Sequence, residues 1–151
     1  DGGGELFEAC HILVKALKIE NQVIFKGILT PKEVKQEMDK AKVFVQHSVT
    51  TPINGDKEGT PVSVMEAMAN GLAIVATKHA GIQEMIENNV SGILVEEYDY
   101  IQMSKEMIEV CENETLNKKL GENAAKSIRS NSLITENIEI LTNIIEKNRL
   151  K

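Results

Sequence analysis

The sequence predicts an α/β fold: a parallel sheet flanked by helices on both faces. Three observations carry that expectation. Short β-branched and apolar runs alternate with stretches of helical periodicity, the order expected of strands joined by crossover helices. One run, LAIVAT at 72–77, shows no polar alternation, as a strand buried on both faces would not. At 151 residues and 42% apolar composition, the chain has enough material for one core, and we expect a single domain over 1–151.

The elements follow in order. From Glu5 to Lys18, Leu6, Cys10, Leu13 and Leu17 recur at helical spacing, after glycines that do not extend a helix backwards. VIFKG at 23–27 reads as a first strand. Thr30-Pro31 then places a capping hydroxyl before a proline suited to a first turn, predicting a helix to about Lys42. VFVQHS at 43–48 reads as the next strand and opens into a stretch rich in turn residues that runs to 60. Strand-to-helix connections usually take about 2 to 6 residues, so this longer one points to function. A helix from Pro61 to Ala69 is expected to close at Asn70-Gly71 through a left-handed residue, followed by the LAIVAT strand. After Ala80-Gly81 come a short helix to about Asn88 and a fourth strand in GILVEE at 92–97. Helical patterns from Tyr100 to Ile128, with a break near Asn113, and from Leu133 to Asn148 complete the chain.

Bulk properties exclude several function classes. With 17 basic against 23 acidic residues and a net charge of −6, the chain lacks the concentrated positive face that nucleic acid or an anionic membrane requires. No apolar run approaches the roughly 20 residues of a transmembrane helix. The two cysteines, Cys10 and Cys111, have no paired metal-site or redox spacing and are expected to be buried, reduced thiols in a cytoplasmic protein. The opening DGGGEL has neither an initiator Met nor a signal-peptide pattern, and it reads as the continuation of a longer chain.

In a parallel α/β sheet ligands bind beyond the carboxyl ends of the strands, so the 48–60 loop lies on the binding edge. The run EGTPVSVMEAMANG, Glu58 to Gly71, joins a loop carboxylate, a helix start and a second carboxylate one turn into that helix. Thr60 is expected to cap the helix, with Pro61 in its first position. The amides of Val62 and Ser63 would then face outward, where the helix dipole favours phosphate oxygens. Glu66 lies one turn beyond Val62 and leans toward the same end, placed to accept hydrogen bonds from ribose hydroxyls. Glu58 can do the same for a hexose. The apolar neighbours Val62, Val64, Met65, Met68 and Ala69 suggest that Glu66 is buried, which would demand a partner. The plainer alternative is a solvated loop charge at Glu58 and an outer-face charge at Glu66.

The spacing of Glu58, seven residues, then Glu-Ala-Met-Ala-x-Gly, followed by LAIVATKHAGIQEM and GILVEE, resembles the group 1 glycosyltransferases, the large retaining class of GT-B fold. NQVIFKGILT at 21–30 and DGGGEL fit the same pattern. TKHAGI at 77–82 and the TTPINGDKEG loop look most like members that build bacterial exopolysaccharides. The resemblance implies the Rossmann-like, carboxyl-terminal half of such an enzyme, without its amino-terminal acceptor domain. It further implies Glu58 as the catalytic-site carboxylate on the donor sugar, with Gly59, Thr60, Pro61 and Val62 beside the sugar and diphosphate. Glu66 would hold the ribose, and Ile28 and Leu29 would pass the nucleobase. The implied donor is a UDP- or GDP-hexose, used without a metal or other cofactor, and the acceptor is a glycan or lipid-linked sugar bound by the other domain. Peripheral association with the inner membrane would come through that domain. Pro61 departs from a glycine common in the family and removes one amide from the phosphate site; Ala73 and Gln83 replace common prolines. The family's phosphate-binding Arg and Lys would precede DGGGEL, so the chain by itself is expected to bind donor weakly and not to transfer sugar.

His47 and His79 each follow a strand and border the binding edge, with a structural role the more economical reading for both. His11 reads as structural, Glu84 and Glu87 as helix-start acids, and Met65 and Met68 as core filler. Competing functions are a nucleotide-sugar epimerase domain and a non-catalytic α/β assembly module.

Overall fold

A computed structural model of the chain describes residues 5–51, 55 and 61–131. The helix expected over Leu133 to Asn148 lies outside them. The chain divides into two compact units, Asp1–Glu37 and Met38–Lys151.

In the first unit, helix α1 spans Glu5–Ala16 and ends in a turn where Lys18 adopts φ 57°. The apolar stripe read from the sequence does not form its contact face: Leu6, Leu13 and Leu17 are all exposed, as is Cys10. The helix instead turns Phe7 and His11 toward Phe25. Ring centroids lie 3.9 Å apart for His11 and Phe25 and 5.5 Å apart, edge to face, for Phe7 and Phe25. VIFKG is extended, with half-buried Val23 and Phe25 alternating with exposed Ile24 and Lys26, but it is no strand. A strand requires a ladder partner, and this segment has none among the described residues. Helix α2, Pro31–Lys40, starts as read: the Thr30 amide donates to Glu33 Oε2 at 2.8 Å and the Glu33 amide reaches back to Thr30 Oγ1 at 3.4 Å. That box lowers the Glu33 pKa, chiefly through the Thr30 hydroxyl and then its amide.

The second unit holds a parallel sheet of three strands in the order β1 (Val43–Gln46), β2 (Ala73–Thr77), β3 (Ile93–Val95). Val43 pairs with Ala73, and Val75 with Ile93. Every β2 residue is buried, as its unbroken apolar run requires. Successive side chains go to opposite faces. Ala73 and Val75, with Ile93 and Val95, pack against Met103 and Val110 of α5 (Tyr100–Glu112) and Leu120 of α6 (Glu114–Asn131). The break near Asn113 is the junction of these two helices. Helix α3 (Val62–Ala69) sends Val64, Ala67 and Met68 into the core, and α4 (Ile82–Met85) follows β2. The described strands therefore number three, with VIFKG absent from the expected set.

Two positions fix how α6 meets the turn after α3. Gly71 ends α3 at φ 72°, the left-handed residue expected there. Gly121 is buried so close to it that a methyl group on Gly121 would lie 2.1 Å from the Gly71 carbonyl oxygen. Gly121→Ala should therefore destabilise the fold by about 1–3 kcal/mol despite the better helix propensity of alanine, measured as a lower urea midpoint.

Candidate donor site at the carboxyl edge of the sheet

The carboxyl ends of β1, β2 and β3 lie side by side, because the register pairs Gln46 with Ala76 and Thr77 with Val95. The segments leaving this edge are joined by a polar network that the sequence did not reveal. Thr77, wholly buried, donates its hydroxyl to the Ser48 carbonyl at 2.6 Å and accepts the Ser48 amide at 3.0 Å. Gln46 Nε2 donates to the Ser48 hydroxyl at 3.0 Å. The Glu97 carboxylate accepts the Thr50 amide at 2.7 Å and the Thr50 hydroxyl at 3.1 Å. His79, fully buried, places Nδ1 2.7 Å from Glu97 Oε1. Tyr98 donates its phenol to the Thr50 carbonyl at 2.6 Å. Tyr98 (φ 65°) and Ala80 (φ 38°) are non-glycine residues in the left-handed region at this same edge, a conformation held only where the surroundings determine it.

Charge at the edge follows from these bonds. The Thr50 amide, then the His79 side chain, hold the Glu97 pKa below its ordinary value, against a smaller desolvation effect in the other direction. Beside it, Lys78 pairs with Glu96 in the open. Among the described residues no group of three or more His, Cys, Asp or Glu side chains is placed to hold a metal ion, and no helix is long and apolar enough to cross a membrane.

Helix α3 starts one residue later than read. Pro61 is its extended N-cap residue, at φ −72° and ψ 120°, and Val62 begins the helix. The Val64 amide is taken by the Pro61 carbonyl at 3.1 Å, which leaves Val62 and Ser63 as the outward amides of the first turn. Glu66 is not buried. It lies on the exposed face with Val62, itself 62% exposed, and Ala69, because the core takes only Val64, Ala67 and Met68 from this eight-residue helix. Contrary to the expectation, Glu66 is no buried carboxylate in need of a partner but an accessible one, one turn from the helix start. Glu58, Gly59 and Thr60 lie outside the described residues. Ile28, exposed, and Leu29, half-buried, belong to the first unit. Glu84 is an exposed acid in the first turn of α4, and His47 is exposed. Cys10 and Cys111 are both exposed, contrary to the expectation of buried thiols, because each occupies an outer helix position.

Residues 2–127 match the family model of the group 1 glycosyl transferases. The chain belongs to this family. It is 41% identical over 98 residues to the amylovoran biosynthesis glycosyltransferase AmsK of Erwinia amylovora, covering 65% of this chain and 24% of AmsK. It is 45% identical over 87 residues to the putative colanic acid biosynthesis glycosyltransferase WcaL of Escherichia coli, covering 58% and 21%. The chain thus matches about a quarter of the length of these relatives. Among solved structures, HepE of Anabaena in complex with UDP-glucose superposes with a TM-score of 0.77 at 25% identity, covering 95% of this chain and 38% of HepE. The sucrose-phosphate synthase of Thermosynechococcus elongatus gives 0.76 at 18% identity, covering 97% and 35%, a likeness of fold.

Two outcomes test the network. Thr77→Val removes the hydroxyl that satisfies both main-chain groups of buried Ser48 and should cost about 1–3 kcal/mol in chemical denaturation. The Glu97 carboxyl is more acidic in the folded chain than unfolded, so its contribution is full at neutral pH and is lost as pH falls below about 4. Glu97→Gln should flatten that acid limb of the stability profile.

Proposed function

We propose that this chain is the donor-binding domain of a retaining glycosyltransferase that carries its acceptor site on a second, amino-terminal domain. The donor is a nucleoside diphosphate hexose with UDP or GDP as carrier, and the acceptor is a growing glycan or lipid-linked sugar. The observation that carries this reading is the start of α3 at the carboxyl side of the sheet. An uncapped first turn with no acidic side chain presents the Val62 and Ser63 amides, and Glu66 stands exposed one turn behind them. Amides and dipole suit a diphosphate; a carboxylate behind them suits the paired hydroxyls of a ribose. Family membership and the likeness to a protein solved with UDP-glucose support the same assignment.

Glu58 is proposed to contact the donor sugar, with Gly59, Thr60 and Pro61 along the sugar and diphosphate, and Ile28 and Leu29 beside the base. Transfer is proposed to proceed without a metal ion, the leaving diphosphate being stabilised by amides and by basic side chains of the complete enzyme. The names of AmsK and WcaL make a bacterial exopolysaccharide the favoured product class.

Titration with UDP, GDP and their hexose conjugates, followed by amide NMR shifts, tests the reading. Shifts are expected at 28–29 and 58–66 with one of the two bases. Glu66→Ala should weaken nucleotide binding about tenfold or more at unchanged melting temperature, the loss of one charged hydrogen bond. Glu58→Ala should chiefly weaken the hexose conjugate. Parent-like binding by both variants would refute the site.

A further inference from the structure

After β1 ends at Gln46, the main chain leaves the ladder, yet its polar groups remain bonded in a regular way. The amide and carbonyl of Ser48 are both held by one side chain, that of Thr77. Two residues on, Thr50 is held at every polar atom: amide and hydroxyl by Glu97, carbonyl by Tyr98. Side chains from the ends of β2 and β3 thus extend the sheet's bonding by two rungs beyond the ladder, at Ser48 and Thr50.

The two residues that grip Thr50 adjoin in sequence, and the geometry between them is specific. Tyr98 accepts a left-handed backbone conformation at φ 65°, uncommon for a bulky aromatic, and the residue remains 53% exposed. Burial therefore does not explain the conformation, whereas the 2.6 Å bond to Thr50 is made from it. Glu97 is in turn steadied from below by the wholly buried His79. At the far end of the connection, Pro61 is buried and begins α3.

We infer that Glu97 and Tyr98 are positioning residues for donor binding, a clamp that sets where the chain leaves the sheet on its way to α3, with His79 orienting the Glu97 carboxylate. This rests on the proposed donor site, in which that connection serves the sugar end of the donor and α3 serves the nucleotide end. The clamp then acts on the first and not on the second. A merely structural role has a different signature, lowering both affinities together as the folded fraction falls.

The test measures affinity by calorimetry for the nucleoside diphosphate and for its hexose conjugate, in the enzyme carrying this chain with its acceptor domain. Glu97→Ala and Tyr98→Phe are compared with the parent, with thermal melting of each. The expected result is a loss on the order of tenfold for the conjugate, with the nucleoside diphosphate unchanged within about twofold. Tyr98→Phe removes one oxygen from an exposed residue and keeps the question open should Glu97→Ala fail to fold. Glu97→Gln, which retains an oxygen for the Thr50 amide, should recover part of the loss. Equal losses for both ligands, or none, in a parent that binds both, would overturn the clamp and leave the donor site standing. A parent that binds neither ligand would remove the donor site and the clamp with it.

Discussion

The complete burial of β2 is the constraint on which the second unit depends. A parallel strand with no exposed residue needs a neighbour on each side and a helical layer on each face, since its backbone groups and both rows of side chains must all be satisfied away from water. β1 and β3 supply the ladders. Helices α5 and α6 cover the face that carries Val75, and α3 also packs against β2. Because all three strands run the same way, their carboxyl ends gather at one edge, and three outgoing segments meet there without any further design. The proposed binding edge is a by-product of satisfying one strand.

Much of this was legible from residue order. LAIVAT announced a central strand by lacking alternation, Thr30-Pro31 announced a helix start by a capping hydroxyl before a proline, and Asn70-Gly71 announced a helix end. The failures have physical causes. VIFKG has the composition of a strand, but composition measures how well residues suit a pleated surface and says nothing of whether a neighbour is present. Apolar neighbours suggest burial of Glu66, but on an eight-residue helix Val64, Ala67 and Met68 suffice for the core, and Glu66 lies on the outer face with Val62 and Ala69. The stripe of leucines in α1 has the right period and still stays exposed, since Phe7 and His11 find the aromatic partner on the next face.

The network at the sheet edge was illegible for another reason. Its bonds join Thr77 to a residue 29 positions away and Glu97 to one 47 positions away. No local pattern records such pairs. What the sequence did hold was a positional hint: a threonine, a histidine, a glutamate and a tyrosine lie at or just past the ends of β2 and β3. Placing the strands correctly is enough to nominate them, and only the register says which of them meet.

The contact between Gly71 and Gly121 has a consequence for how such a chain changes over time. Here two stretches of backbone touch with no side chain between them, so the approach of α6 to the turn before β2 is set at Gly121 by main chain and not by a residue that could be traded for a larger or smaller one. Elsewhere in the core a change of volume on one element can be answered by a change on its neighbour. At this junction there is nothing to trade. Drift in the outer helices is therefore free to rewrite their solvent faces, while the approach of α6 to the turn ahead of β2 stays anchored at a point that tolerates no gradual adjustment.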